Sequence, residues 1–138
     1  VAPGHPFSRK RGVTIAEAGR EPFLFFERGS SYHSLTYSMF LRAGVVPESA
    51  MELDSMETTK HMVEAGLGVA ILPVVSITRE RESGTLVPVD LRDMEQPAQR
   101  EIGVHVPRNR ALARPTRDLL KILTAEYGVA NPFDTEAQ

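Results

Sequence analysis

The sequence predicts an α/β domain, a three-layer sandwich with helices on both faces of a mixed, mostly parallel sheet. Three observations carry this. From Glu21 onward, strand-like apolar runs alternate with segments of helical period over short connections, the pattern of strands joined by crossover helices. The stretch Asp54 to Pro73 then holds a cap, a helix, a glycine turn and a strand within twenty residues. Inside it, Val69-Ala-Ile-Leu72 is apolar without alternation, as a strand covered on both faces requires, and Pro73 stops it.

The elements follow in order. Ser8-Arg-Lys-Arg11 is a basic run read as a solvated connector, ahead of a weakly amphipathic piece from Thr14 to Gly19 with Ile15, Ala16 and Ala18. Glu21-Pro-Phe-Leu-Phe-Phe26 is too short for a globular helix and reads as a buried strand. A helix starts at Ser31, faces Leu35, Met39 and Phe40 inward, and closes at Gly44. Ala50 to Leu53 is a second strand, and Ser55 to Ala65 its helix. Asp54 or Ser55 caps that helix, with Glu57 in capping-box spacing from Asp54. Met56, Thr59, Met62 and Val63 share a face of it, and Gly66 ends it. After the Val69–Leu72 strand, a helix through Ile77 to Glu82 ends near Gly84. Leu86 to Leu91 alternates around Pro88 and is expected as an edge strand, antiparallel to the central strands. Residues 92–100 read as loop, and Glu101 to Val106 as a further alternating strand. Pro115 suits a first helical position, and Leu119, Leu120 and Leu123 form the apolar stripe of a helix to Tyr127. The tail from Gly128 is expected to fray or to dock elsewhere.

Composition excludes several function classes. With 138 residues the chain is large enough to bury a core without staples, and with no cysteine it has no disulfide, thiol nucleophile or cysteine metal site. A net charge of −2 argues against these residues holding a polyanionic backbone by themselves. No apolar run approaches the roughly 20 residues of a bilayer span. The opening Val1-Ala-Pro-Gly-His-Pro6 reads as the end of an element begun upstream, so the chain is expected to be a fragment. Histidines 5, 33, 61 and 105 offer no i, i+4 pair, so no metal site is expected. Gly66-Leu-Gly68 lies between helix and strand, the wrong polarity for a dinucleotide loop, and reads as a turn. No Gly-x-Ser-x-Gly elbow occurs, and Ser30 with His33 and Asp54 reads as a cap beside a surface histidine in preference to a triad.

In parallel sheets ligands gather at the carboxyl ends of strands. Here those ends are Glu27 to His33, Asp54 to Met56 and Pro73 to Ser76, each leading into a helix amino terminus whose unpaired amides favour an anion. A small carboxylate or phosphate suits such an edge.

The ordered set His5-Pro6, Glu21-Pro-Phe-Leu-Phe-Phe-Glu-Arg-Gly-Ser30, Ala43-Gly44, Asp54-Ser55 and Met62-Val-Glu-Ala-Gly-Leu-Gly-Val-Ala-Ile-Leu-Pro73, with the closing strand and helix, resembles the effector-binding domain of LysR-type transcriptional regulators, from Val1 to about Tyr127. The resemblance implies two α/β lobes like those of a type 2 periplasmic binding protein, joined by crossing strands. Residues 1–19 would be crossover and connector, 20–107 the second lobe, and 108–138 the returning helix and tail. The winged helix-turn-helix, the linker helix and most of the first lobe would lie outside this sequence. The last helix is then expected to fold back on its own lobe or to bury itself against a second copy.

The resemblance further implies a cytoplasmic homo-oligomer that performs no catalysis, needs no cofactor, avoids membranes and touches DNA only through its missing region. It places Gly29, Ser30 and Ser31 in a pocket between lobes, with Tyr32 and His33 positioned to close over a ligand. Asp54, Ser55 and Met56 would form a second pocket segment, and Pro73 and Val74 an apolar wall with backbone donors. Plain helix capping uses Ser30, Ser31 and Asp54 equally well. A transport solute-binding protein of the same fold is the alternative reading, which sequence upstream of Val1 would distinguish by a signal peptide in place of a winged helix-turn-helix.

Overall fold

The computed structural model describes residues 1–94, 103–107 and 111–128. The chain divides into two compact units, Val1–Ala98 and Gln99–Gln138.

In the first unit, a 3-10 turn (Pro6–Arg9) precedes helix α1 (Ile15–Ala18), strand β1 (Phe23–Phe26), helix α2 (Ser31–Arg42), strand β2 (Ser49–Leu53), helix α3 (Met56–Glu64), a second 3-10 turn (Val74–Ile77) and helix α4 (Thr78–Ser83). β1 and β2 are parallel, with Phe26 opposite Leu53. All four β1 residues are buried, and alternation sends the first three to two cores. Phe23 and Phe25 join Phe7, Val13, Ile15, Ala18, Met39, Phe40 and Val69, whereas Leu24 joins Val63, Ile77 and Leu86. The Phe23 and Phe40 rings meet edge-on at 4.9 Å, a geometry worth about 0.5–1.5 kcal/mol beyond the area buried.

Helix boundaries lie close to the sequence expectation because each carries its own stop signal. Gly44 and Gly84 take φ of 68° and 74° after α2 and α4. Gly66 does the same at 76° after α3, while Gly68 is required for another reason. A Cβ there would collide with the carbonyl oxygen of Pro22, which accepts the Val69 amide at 2.9 Å.

Three expected strands are corrected. Val69–Leu72 contributes only an isolated parallel bridge, Val69 to Phe23. Leu86–Leu91 is not a strand: Leu91 bridges Val13 in parallel, and Val87 exchanges backbone hydrogen bonds with Val1 at 2.8 and 3.1 Å. Both segments line an apolar cavity of about 500 Å³. In the second unit, the described residues Gly103–Pro107 form no strand and Val104 is 42% exposed; Glu101 and Ile102 lie outside the described residues. Alternation alone does not make a strand where no neighbour supplies a ladder.

That unit also holds helix α5 (Arg114–Tyr127), with Pro115 one position later than expected and Gly128 (φ 63°) as its C-terminal cap. Leu120 is buried, whereas Leu119 is 54% exposed. The tail beyond Gly128 lies outside the described residues, as do residues 95–100 of the expected loop. No helix among the described residues is long and apolar enough to cross a membrane.

The capping box expected at Asp54 and Glu57 is not formed; one is found at α1 instead. Thr14 accepts from the Glu17 amide at 3.0 Å and Glu17 accepts from the Thr14 amide at 2.8 Å, while Lys10 Nζ sits 2.7 Å from the same carboxylate. The Lys10 hydrogen bond, aided by the Thr14 amide, holds the Glu17 carboxyl down to about 2 from the ordinary 4.5. A depressed carboxyl stabilises the fold above its unfolded value, and that contribution is lost as pH falls. Unfolding midpoints are therefore expected to decline between about pH 4.5 and 2, and Glu17→Gln should flatten that limb in circular-dichroism melts. An acid limb unchanged in the variant would remove Glu17 from the explanation.

Candidate effector-binding edge

Parallel pairing fixes where the expected site residues go. β1 and β2 end side by side, and the next hydrogen bond, from the Glu27 amide to the Leu53 carbonyl at 2.9 Å, places the following loops together. Val69 lies opposite Phe23 in the same direction, and Pro73 follows Val69 by four residues as Glu27 follows Phe23. The exits of β1 and β2 thus belong to one end of the sheet, and the chain after Val69 leaves its bridge in the same direction.

At the first exit, Gly29 turns the chain with φ 98°, and Ser30 caps α2 by accepting from the His33 amide at 3.0 Å. The first backbone bond of α2 runs from Ser34 to Ser30, so the Ser31 amide precedes the helical ladder at the positive end of the helix dipole. Ser31 is exposed. Tyr32 and His33 lean back on the strand, Tyr32 against Phe26 with centroids 5.2 Å apart and His33 against Phe25 at 5.4 Å. His33 also stacks on Tyr37 at 5.6 Å and 13°. These rings flank the turn and brace it.

At the second exit, Ser55 caps α3, accepting from the Thr58 amide at 3.4 Å, while its carbonyl takes both the amide and the hydroxyl of Thr59 at 2.9 Å. Asp54 is an exposed bend residue and Met56 is half-buried. At the third, the Pro73 carbonyl accepts the Ser76 amide at 2.9 Å and the Ser76 hydroxyl at 2.7 Å, and Val74 is 67% exposed. Of the ten candidate residues only Val74 also lines the apolar cavity, so that cavity and the sheet edge are different features.

Two residues were not singled out from sequence. Arg28, between the first two exits, donates from Nε to Glu52 Oε1 at 2.9 Å, and the Glu52 hydrogen bond raises its already high pKa further. Its signal was its place two residues past a strand end. Lys60 is 5% exposed on the buried face of α3. Its signal was helical spacing, since it falls four residues after Met56 and three before Val63. The edge is electrically mixed, because Glu27 and Asp54 are exposed acids and Glu52 offsets Arg28. Any preference for an anion therefore rests on directed amides and hydroxyls, with little help from net charge.

Residues 1–128 match the family described as LysR substrate binding domain, and the chain belongs to that family. It is 27% identical over 121 residues to the RuBisCO operon transcriptional regulator of Acidithiobacillus ferrooxidans, covering 88% of this chain and 38% of that protein. To the HTH-type transcriptional regulator CbbR of Xanthobacter flavus it is 40% identical over 89 residues, covering 62% of this chain and 27% of the relative. Among solved structures, a Pseudomonas aeruginosa protein assigned to the LysR family of transcriptional regulators matches with a TM-score of 0.54 at 26% identity, over 68% of this chain and 33% of that one. The chain thus spans less than two-fifths of each of these proteins.

Proposed function

We propose that this chain is the effector-sensing part of a LysR-type transcriptional regulator, mainly the second lobe of a type 2 periplasmic-binding-protein-like domain, with three layers around its sheet. Residues 1–19 serve as crossover and connector, 20–107 as the lobe, and 108–138 as returning helix and tail. A small effector seats an anionic group, a carboxylate in the simplest case, on the amino-terminal turns of α2 and α3, contacted by Gly29, Ser30, Ser31, Ser55 and Met56, while Asp54 contacts another part of the same molecule. Tyr32 and His33 flank it, and Pro73 and Val74 supply the wall. The exposed acids Glu27 and Asp54 suit a hydroxyl or ammonium group on the same molecule.

Binding shifts the relative arrangement of two lobes and so changes how an attached homo-oligomer presents its DNA-binding heads, which lie outside these residues. Such coupling needs only different affinity for two arrangements, and no bond is made or broken. The work is cytoplasmic in this reading. The observation that carries it is the convergence of two capped helix amino termini on one sheet edge, each with its cap hydroxyl at the carboxyl end of a strand.

The test is a thermal-shift screen of small organic acids, hydroxy acids and amino acids, each beside its neutral amide, on the full-length regulator that carries this chain. A specific ligand at 100 times its Kd adds about 2.7 kcal/mol, a shift such a screen reads. At least one anion is expected to stabilise where its amide does not. Stabilisation by the amides to the same extent would remove the anion seat.

A further inference from the structure

Lysine is rarely buried without partners, because its ammonium group is costly to remove from water. Lys60 is buried, and each of its three protons has an acceptor within reach: Glu57 Oε1 at 2.7 Å, Glu80 Oε1 at 2.7 Å and the Ser76 carbonyl at 3.2 Å. These acceptors come from α3 itself, from α4 and from the 3-10 turn between Val74 and Ile77. A continuous path results. Pro73 is held by the amide and hydroxyl of Ser76, the carbonyl of Ser76 by Lys60, and Lys60 sits on the helix that Ser55 caps.

A purely stabilising role explains this poorly. Buried ion pairs recover their desolvation cost incompletely, and apolar replacements of similar volume are often as stable. The other oxygen of Glu80 is buried without a partner among the described residues, so this carboxylate is held for its Lys60 contact at the expense of its second acceptor. The other buried residues of α3, Thr59 and Val63, are uncharged, and an apolar side chain at position 60 would continue that face.

We propose that Lys60 is a positioning residue: by tying the Ser76 carbonyl and Glu80 to α3, it sets the spacing between Ser55 and Pro73–Val74 across the effector edge. This rests on the functional reading above in taking those two segments as effector contacts. The directional bond to a backbone carbonyl, which an apolar side chain cannot make, is the part that fixes the turn.

Amide hydrogen exchange of this chain tests the idea without any effector. The Ser76 amide, bonded to Pro73, reports the turn, and the Leu24 amide, bonded to Val69, reports the sheet. In Lys60→Met, exchange at Ser76 should rise on the order of tenfold relative to Leu24, since local opening is read site by site. Lys60→Arg, which keeps the cation, should return the ratio most of the way. In Lys60→Met with Glu80→Gln, the melting midpoint should recover toward that of the parent while the Ser76 amide stays fast, separating position from stability. Should Lys60→Met fail to fold, the double variant, which leaves no unpaired buried carboxylate, carries the comparison and should raise the same ratio. Equal acceleration at Ser76 and Leu24, or recovery of Ser76 together with the midpoint, would overturn the proposal. Because no ligand enters, failure here is distinct from failure of the effector site, which would appear as effector binding indifferent to Ser31 and Ser55.

Discussion

Phe40→Ala is expected to destabilise the Val1–Ala98 unit by about 3–5 kcal/mol. Phe40 is fully buried, meets Phe23 edge-on at 4.9 Å and faces Phe25 at 6.0 Å, so its ring joins α2 to both inward residues of β1 on that face. Truncation removes the transfer free energy of the ring and leaves a hole that β1, pinned on one side by β2 and on the other by Val69, cannot close. Against a typical domain stability of about 5–15 kcal/mol, such a loss would leave the fold marginal. Urea unfolding of parent and variant measures it; a loss below about 1 kcal/mol would mean that α2 can settle into the gap.

Gly68→Ala is expected to have the second largest effect, about 1–3 kcal/mol or more, and to exceed Gly66→Ala. The two glycines stand two residues apart and are needed for different reasons. Gly66 adopts a left-handed φ of 76° in open space, so alanine there carries only the backbone penalty of about 1–2 kcal/mol. At Gly68 the added methyl meets the Pro22 carbonyl, a backbone atom that cannot swing aside without breaking its bond to the Val69 amide. Denaturant midpoints of the two variants decide the order. Equal losses would show that the Pro22–Val69 contact relaxes freely.

The two glycines also show what was legible in the sequence. Gly66-Leu-Gly68 announced a turn between helix and strand, and polarity alone ruled out a phosphate loop. The ends of α2, α3 and α4 were equally readable, because serine caps and left-handed glycines are local devices written in single residues. Whether an apolar run becomes a strand was not local. Val69–Leu72 has the composition of a central strand and bonds to β1 only at Val69, since pairing depends on neighbours distant in sequence. Leu86–Leu91 pairs through Val87 with Val1 and through Asp90 with Val13, more than seventy residues away, which no pattern within its six residues could disclose.

The candidate edge was legible as the exits of β1, β2 and the Val69–Leu72 run, and the family match covers residues 1–128. Lys60 and Arg28 were not, because a charged residue in a helix or after a strand is ordinarily solvated, and only the contacts of Lys60 with Ser76 and Glu80 set it apart. The cap between Asp54 and Ser55 was likewise settled by geometry, since either side chain could have accepted the bond and Ser55 does.

The central claim is that the amino-terminal turns of α2 and α3 hold the effector, and substitution in those turns tests it most directly. Ser30→Ala and Ser55→Ala should each lower stability by about 1 kcal/mol through loss of a cap, whereas exposed Ser31, which caps nothing in the structure, should tolerate alanine. Calorimetric titration of the full-length regulator with whichever anion the screen identifies should then show binding weakened at least tenfold, about 1.4 kcal/mol, in Ser31→Ala and in Ser30→Ala with Ser55→Ala. Affinity unchanged in both, with each variant folded, would contradict the assignment of the effector to this edge.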